Sequence, residues 1–360
     1  MSERRSLRAT VGGALIPLLL AACGGGGSSD TSWLYPLWVP TAVSIVDIDG
    51  DGRPDVVSTA QLVSSESQRE GRVEVRRQTA PGVYAAPQTY VVGTYAWKLV
   101  VADIDGDGAP DLVVSDAGPP QNTGGAVWLL RQNAAARGSF LPPQRLADTA
   151  SAPDGIAVGD VNGDGAPDIV VTTSLASAQG ATVLQQNPAL RGSFQAPAAI
   201  ALPGAASAVT IGDLNGDGRA DLVFRVVLSS VEGKTQSTLA IAHQQPGGTL
   251  APPVTLAPQT GLNSKLLAIT DLNGDGVPDI VEFLTACCTD YQSRVTALLQ
   301  DRARGAFSVV DTSLAGIRGV DGAAVADLDG NGKPDLALVG FYPEGSPSTV
   351  YSSLNLLRQD

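Results

Sequence analysis

Apolar and polar positions alternate along this chain in short bursts, and no stretch of the repeated region keeps a helical period. The runs Val43 to Val46, Leu99 to Ala102, Ile156 to Gly159, Val209 to Gly212 and Leu267 to Thr270 each stop at an aspartate. After a polar, glycine-bearing loop each resumes as a β-branched stretch such as DVVS, DLVVS or DIVVTT. Two apolar runs joined in this way predict a β-hairpin. A third run follows (RVEVRR, AVWLLRQ, ATVLQQ, TLAIAHQ, VTALLQ), then a turn. Next come an aromatic or leucine and a proline: Tyr84 and Pro87, Phe140 and Pro143, Phe194 and Pro197, Leu250 and Pro253. Phe307 opens the fifth copy without the proline. The pattern predicts four strands per copy.

The connecting loop is the same nine residues six times, at steps of 56, 57, 53, 58 and 56 residues. Positions one, three, five and nine are always Asp or Asn, and positions four and six are always Gly. Calcium takes six to eight hard oxygens in a flexible cage. The spacing supplies them from side chains at positions one, three, five and nine and from the backbone carbonyl at position seven. The predicted ligands are Asp47, Asp49, Asp51, Arg53 and Asp55 in the first loop, and Asp103, Asp105, Asp107, Ala109 and Asp111 in the second. The third offers Asp160, Asn162, Asp164, Ala166 and Asp168, and the fourth Asp213, Asn215, Asp217, Arg219 and Asp221. Asp271, Asn273, Asp275, Val277 and Asp279 form the fifth set, and Asp327, Asp329, Asn331, Lys333 and Asp335 the sixth. The register resembles the start of an EF-hand. Position twelve, where an EF-hand needs a bidentate glutamate, is instead Ser58, Val114, Val171, Phe224, Glu282 and Leu338. Only Glu282 carries a carboxylate, and the flanks are strands, so an EF-hand is excluded. Six near-copies also argue for structural Ca2+, up to six ions, rather than catalytic carboxylate pairs.

Four strands in about 56 residues is the size of one propeller blade. The residue before the first aspartate is small in five copies (Ala102, Gly159, Gly212, Thr270, Ala326), with Val46 the exception. That suits an innermost strand crowded round an axis. The last copy ends after its third strand, and Trp33 to Val39 carries the aromatic-x-x-Pro signature of a fourth. The fold class expected is therefore all-β, a six-bladed β-propeller of four-stranded antiparallel blades closed by the N-terminal strand. The repeats resemble the FG-GAP/VCBS family, which includes the propeller of integrin α-subunits. That resemblance implies a propeller with calcium in the first hairpin of each blade. Seven blades are common in the family and are the alternative, but residues 32–360 divided by the repeat leave room for six.

Before the repeats, Arg4, Arg5 and Arg8 precede an apolar stretch from Val11 to Ala22, too short to span a bilayer and of signal-peptide length. Leu20-Ala21-Ala22-Cys23 resembles the bacterial lipobox, which implies cleavage before Cys23 and its lipidation. GGGGSSD from Gly24 is a flexible tether. Gly24 after the cysteine favours the outer membrane, by resemblance to bacterial sorting signals. The expected domains are a signal peptide at 1–22, a lipidated cysteine and tether at 23–31 and the propeller at 32–360.

Composition narrows the function. A formal charge of −13 argues against binding nucleic acid through its phosphates. The only histidine, His243, excludes multi-histidine metal sites, and no nucleophile motif or partner cluster surrounds it in sequence. Cys287 and Cys288 are adjacent, either two thiols or a strained vicinal disulfide. Turns such as RGSF repeat at the loop end, whereas segments at the other end differ in every copy. Tyr95, Trp97, Tyr291 and Tyr342 fall in or beside those variable segments and are candidate ligand-binding residues. The expected function is a monomeric, lipid-anchored binding or adhesion module for a protein or glycan. A carbohydrate-active or other hydrolase or lyase, and an envelope-complex scaffold, are the alternatives; no catalytic constellation is readable.

Overall fold

The computed structural model describes residues 37–63, 69–119, 124–173, 180–231, 234–257, 259–260, 263–285, 294–303, 306–313, 320–326, 331, 334–343 and 350–357. Every regular element among them is a strand. The first sheet joins β1 (Leu37–Val46), β2 (Asp55–Val63), β3 (Arg69–Arg76) and β6 (Gln88–Val91), with a small hairpin of β4 (Gln78–Ala80) and β5 (Val83–Tyr84) between the last two. The second holds β7 (Ala96–Ala102), β8 (Asp111–Asp116), β9 (Gly125–Leu130) and β10 (Gln144–Thr149). β11 (Pro153–Gly159), β12 (Asp168–Thr173), β13 (Ala181–Leu184) and β14 (Ala198–Ile200) make the third. The fourth has β15 (Ala205–Gly212), β16 (Asp221–Val231), β17 (Lys234–Ala242), β18 (Val254–Thr255) and the short β19 (Gln259–Thr260). β20 (Asn263–Thr270), β21 (Asp279–Thr285), β22 (Arg294–Gln300) and β23 (Phe307–Ser313) form the fifth. The sixth shows β24 (Val320–Ala326), β25 (Asp335–Pro343) and β26 (Val350–Leu357). All pairings are antiparallel, and apart from β3 with β6 and β17 with β19 they join neighbours in sequence, as in propeller blades.

The first strands β1, β7, β11, β15, β20 and β24 pack against one another in that order, and β11 also touches β20 two blades on. The row therefore curves round an axis, with the first strands innermost. Crowding there explains the small residue before five of the six loops. A Cβ on Gly159 would lie 2.7 Å from Ile211 Cγ2 of the next inner strand.

Second strands are buried on both faces, which is why they read as continuous apolar runs. In β8, Leu112 and Val114 face the first blade while Val113 faces the third. β12 repeats this, Ile169 and Val171 facing back and Val170 forward. The core is thus a series of inter-blade layers rather than one central mass.

One expectation is corrected. Leu37, Trp38 and Val39 pair with Val63, Leu62 and Gln61, so they begin the inner strand of the first blade instead of completing the last. Pairing within a local hairpin closes a far shorter loop than pairing with the other end of the chain. Residues 33–36, also part of that expectation, lie outside the described residues.

Blades four and five share a fully buried ion pair. Arg225 Nη1 donates to Glu282 Oε1 at 2.9 Å and Oε2 at 3.0 Å, and Arg225 Nη2 donates to Ser237 Oγ at 2.6 Å. Both charged side chains are 0% exposed. Glu282, the one position-twelve carboxylate, is thus committed between blades and not to its own loop. Breaking such a pair strands a charge, whereas replacing both partners with apolar groups does not. Arg225→Met alone is expected to destabilise the protein by about 3–5 kcal/mol in urea unfolding, and Arg225→Met with Glu282→Leu to restore most of that loss.

Candidate metal loops

The nine-residue loops fold round their first aspartate. Asp47 Oδ1 accepts the N–H groups of Gly50 at 2.8 Å and Asp51 at 3.0 Å, and its Oδ2 accepts Gly52 N–H at 2.8 Å. Asp103, Asp160, Asp213 and Asp271 repeat all three bonds. Gly50 and Gly52 sit at φ 75° and 84°, which side-chain-bearing residues rarely adopt. A Cβ on Gly52 would meet nothing within 4 Å, so the requirement there is conformational and not steric. The position-five aspartate caps the position-seven N–H, as Asp107 Oδ1 does for Ala109 at 2.8 Å.

Position nine closes the loop. Asp55 is fully buried; its Oδ2 accepts Ile48 N–H at 2.9 Å and its Oδ1 accepts Gln78 N–H, just beyond the third strand, at 2.7 Å. Asp111, Asp168, Asp221 and Asp279 make the same two bonds, to Ile104 and Gln132, Val161 and Gln186, Leu214 and Gln244, and Leu272 and Gln300. These aspartates therefore latch the loop to the sheet as well as offering oxygens to its interior.

Two sets of residues absent from the sequence-based prediction complete this end. The aliphatic residue at position two, Ile48, Ile104, Val161, Leu214 or Leu272, plugs the adjoining inter-blade layer. The glutamine at or just beyond the end of the third strand reaches the preceding blade's loop in blades two, four and five. Gln132 Nε2 donates to Pro110 O of its own loop and to Ile48 O of the preceding one, both at 2.9 Å. Gln244 Nε2 donates to Asp160 O at 3.2 Å. Gln300, with its amide turned to satisfy both groups, donates to Leu214 O at 3.0 Å and Pro278 O at 3.3 Å. Both sets were visible as repeated residue types; what hid them is that neither carries a ligand oxygen.

The electrostatics fit a hard divalent cation. Asp47, Asp49 and Asp55, and likewise Asp103, Asp105 and Asp111, bring carboxylate oxygens within 4.8 Å of one another. Asp49 Oδ1 and Asp105 Oδ1 are buried and accept no hydrogen bond. Burial first, then neighbouring carboxylates, raises the pKa of both above the usual range. Burial raises Asp111 and Asp168 to about 6 against the opposing effect of their backbone donors, and it raises Asp279 as well. Position three is Asn in loops three to five, an oxygen donor without the charge. In loops one and four the position-five carboxylate is shared. Asp51 pairs with the Arg53 guanidinium, and Asp217 with Arg219 Nη2 at 2.5 Å.

His243, solitary in sequence, sits at loop four: its Nδ1 is 2.9 Å from Asp221 Oδ2 and 3.4 Å from Asn215 Nδ2. It also lines a cavity of about 470 Å³ between blades four and five, with Leu239, Leu256, Gln300 and Phe307. At the far end Tyr95 and Trp97 are half-buried, their ring centroids 5.3 Å apart, so the structure does bring these two together. Tyr342 lies in β25 opposite Tyr351. In the sixth loop Asn331 and the buried Asp335 are described. Asp327, Asp329, Lys333, Tyr291, Cys287, Cys288, Cys23 and the signal and tether segments lie outside the described residues.

Antiparallel blades round an axis, each opened by a glycine-bearing acidic loop, define a β-propeller with repeated candidate cation loops. Residues 47–114 and 117–171 match the FG-GAP-like repeat family, and these segments are FG-GAP-like repeats. No curated protein matches the chain in sequence. Among solved structures it is similar to a rhamnogalacturonan lyase of Bacillus licheniformis, at 14% identity, 83% of this chain, 73% of that one and a TM-score of 0.39. It is also similar to an endo-arabinase of Bacteroides thetaiotaomicron, at 12% identity, 90% of this chain, 95% of that one and a TM-score of 0.36. Likenesses this distant assign no activity to this chain.

The two kinds of loop aspartate should separate on substitution. Asp111→Asn keeps the acceptor but halves its capacity for two N–H groups and a cation. It should lower unfolding free energy by about 1–3 kcal/mol even with chelator present. Asp107→Asn, at an exposed position, should leave the chelated protein unchanged and weaken only its response to added metal.

Proposed function

We propose that this chain is a calcium-stapled β-propeller, lipid-anchored through Cys23 at the cell envelope, that binds a protein or glycan through the end opposite its acidic loops. The observation carrying this reading is the contrast between the two ends. Five loops repeat the same first- and ninth-aspartate bonds, so that end is committed to holding the ring. The other end keeps the same strands but changes side chains in every blade, and changing side chains on a constant scaffold is where recognition usually resides.

In this reading Ca2+ is held by the carboxylates of positions one, three, five and nine, by the amide oxygen where position three is Asn, and by the position-seven carbonyl. Its contribution is neutralisation: it supplies the acceptor-rich loop interior with a positive partner for Asp49 Oδ1 and Asp105 Oδ1, which accept no hydrogen bond. With Kd of ~0.1 mM and ~1 mM calcium, each site adds about 1.4 kcal/mol, roughly 8 for six. That rivals the whole stability of an ordinary domain, 5–15 kcal/mol. Calcium at ~1 mM should therefore raise the Tm of the chelator-treated protein by many degrees, and magnesium much less; a Tm indifferent to chelator and calcium overturns the metal assignment.

The anchor is tested separately. Cys23→Ser should abolish lipid labelling and move the protein out of the detergent-extracted membrane fraction of a bacterial host that processes lipoproteins. Wild-type protein recovered unlipidated from the medium is the contrary result.

A further inference from the structure

Each of the six inner strands carries one β-bulge, and all six fall at the same place in the repeat. The residues skipped by the cross-strand register are Thr41, Trp97, Asp154, Ser207, Lys265 and Asp321, each six residues before the first loop aspartate. Inner strands run toward the acidic loops, so the bulges lie near the opposite end, round the axis. A bulge bends its strand and re-aims a side chain. Neighbouring bulges are in touch: Thr41 Oγ1 donates to Ala96 O, beside the second bulge, at 2.6 Å. A Cβ on Gly155, beside the third, would lie 3.0 Å from Ala208 Cα, beside the fourth. The backbone device is constant, while its side chains run from hydroxyl to indole to carboxylate.

Buried polar atoms without partners gather at this end of the first three blades. Gln61 is 7% exposed and its Oε1 accepts no hydrogen bond. The hydroxyls of Ser151, 1% exposed, and Thr172, 0% exposed, are likewise unpartnered, as is Asp154 Oδ2 on the third bulge. Thr172 faces that bulge from β12, its Oγ1 2.6 Å from where a Cβ on Gly155 would stand. Buried polar groups in native proteins are almost always hydrogen-bonded to protein, water or ligand. On the adjoining inner strand β7, packed against β11 and bulged at the same level as Asp154, Trp97 offers a flat ring next to Tyr95, with Lys98 Nζ 5.5 Å from its centroid.

A planar apolar surface one strand from an unpartnered carboxylate oxygen is complementary to a sugar, which has an apolar C–H face and a rim of O–H donors. We propose that the axial mouth formed by the bulges of blades two and three is a saccharide site, with Trp97 as the stacking platform and Asp154 accepting from ring hydroxyls. The Asp154 carboxylate and the chain's formal charge of −13 favour a neutral sugar over a uronate. The site rests on the reading that ligand binds opposite the acidic loops.

The test uses the full chain, purified in detergent with calcium, on an array of neutral and uronate-bearing oligosaccharides, followed by calorimetry with the best-bound neutral glycan. Trp97→Ala and Asp154→Ala should each weaken binding by about tenfold or more with Tm unchanged. Trp97→Phe, which keeps a ring and covers the case in which the alanine variant does not fold, should stay within about threefold. Arg137→Ala, in a turn at the acidic-loop end, should bind as wild type. An array that captures only uronate glycans or none, or neutral-glycan binding unmoved by both alanine variants, overturns the saccharide site. If binding survives both but is lost in Tyr342→Ala, the opposite-face reading stands without this site; if Arg137→Ala alone abolishes it, that reading fails too.

Discussion

The arrangement turns on a buried carboxylate that holds two strands and a loop at once. Asp55 and its counterparts receive one N–H from the loop they end and one from the glutamine at or just beyond the end of the third strand of the same blade. Charged acceptors make hydrogen bonds roughly twice as strong as neutral ones, and the carboxylate offers a separate oxygen to each N–H. Burial works against it, as the raised pKa of Asp111 and Asp168 shows. The site therefore combines a strong mechanical latch with an electrostatic deficit that a cation is suited to offset.

That latch extends between blades. Gln132 donates across to the loop of the preceding blade, and Ile48 of that loop fills the layer between them. The turn that follows Gln132 closes over the same region, for a Cβ on Gly138 would lie 2.8 Å from Asp49 Cβ. Anything that tightens one loop thus also tightens a blade junction. A ring built this way can concentrate its rigidity at one end and leave the other end free to vary.

Blades four and five join differently in part. Their layer carries the Arg225–Glu282 pair, and their acidic end has the only histidine paired with a latch aspartate. In blades one and two an arginine stands at the position of His243, Arg77 lying 3.7 Å from Asp49 Oδ2. Each substitution places a nitrogen near the loop carboxylates, so charge compensation there is met by different residues in different blades.

Much of this was legible along the chain. The alternation of Asp or Asn with Gly specified the loop, because oxygen ligands and positive φ both demand particular residue types, and the β-branched runs in β8 and β12 marked them as strands, while their burial on both faces came from the packing of the blades. Ile48 and Gln132 were present as repeated types, yet their roles required knowing which loop lies against which blade. Leu37 to Val39 read as a closing fourth strand because the aromatic-x-x-Pro signature marks residue types and not partners; pairing was decided by the nearby register of β2. The six bulges left no trace in residue type at all. A bulge is a mismatch between two strands, and the side chains skipped at Thr41, Trp97 and Asp154 share nothing except their distance from the loop. Only the tertiary structure, by pairing each inner strand with its neighbour, could set them round one axis.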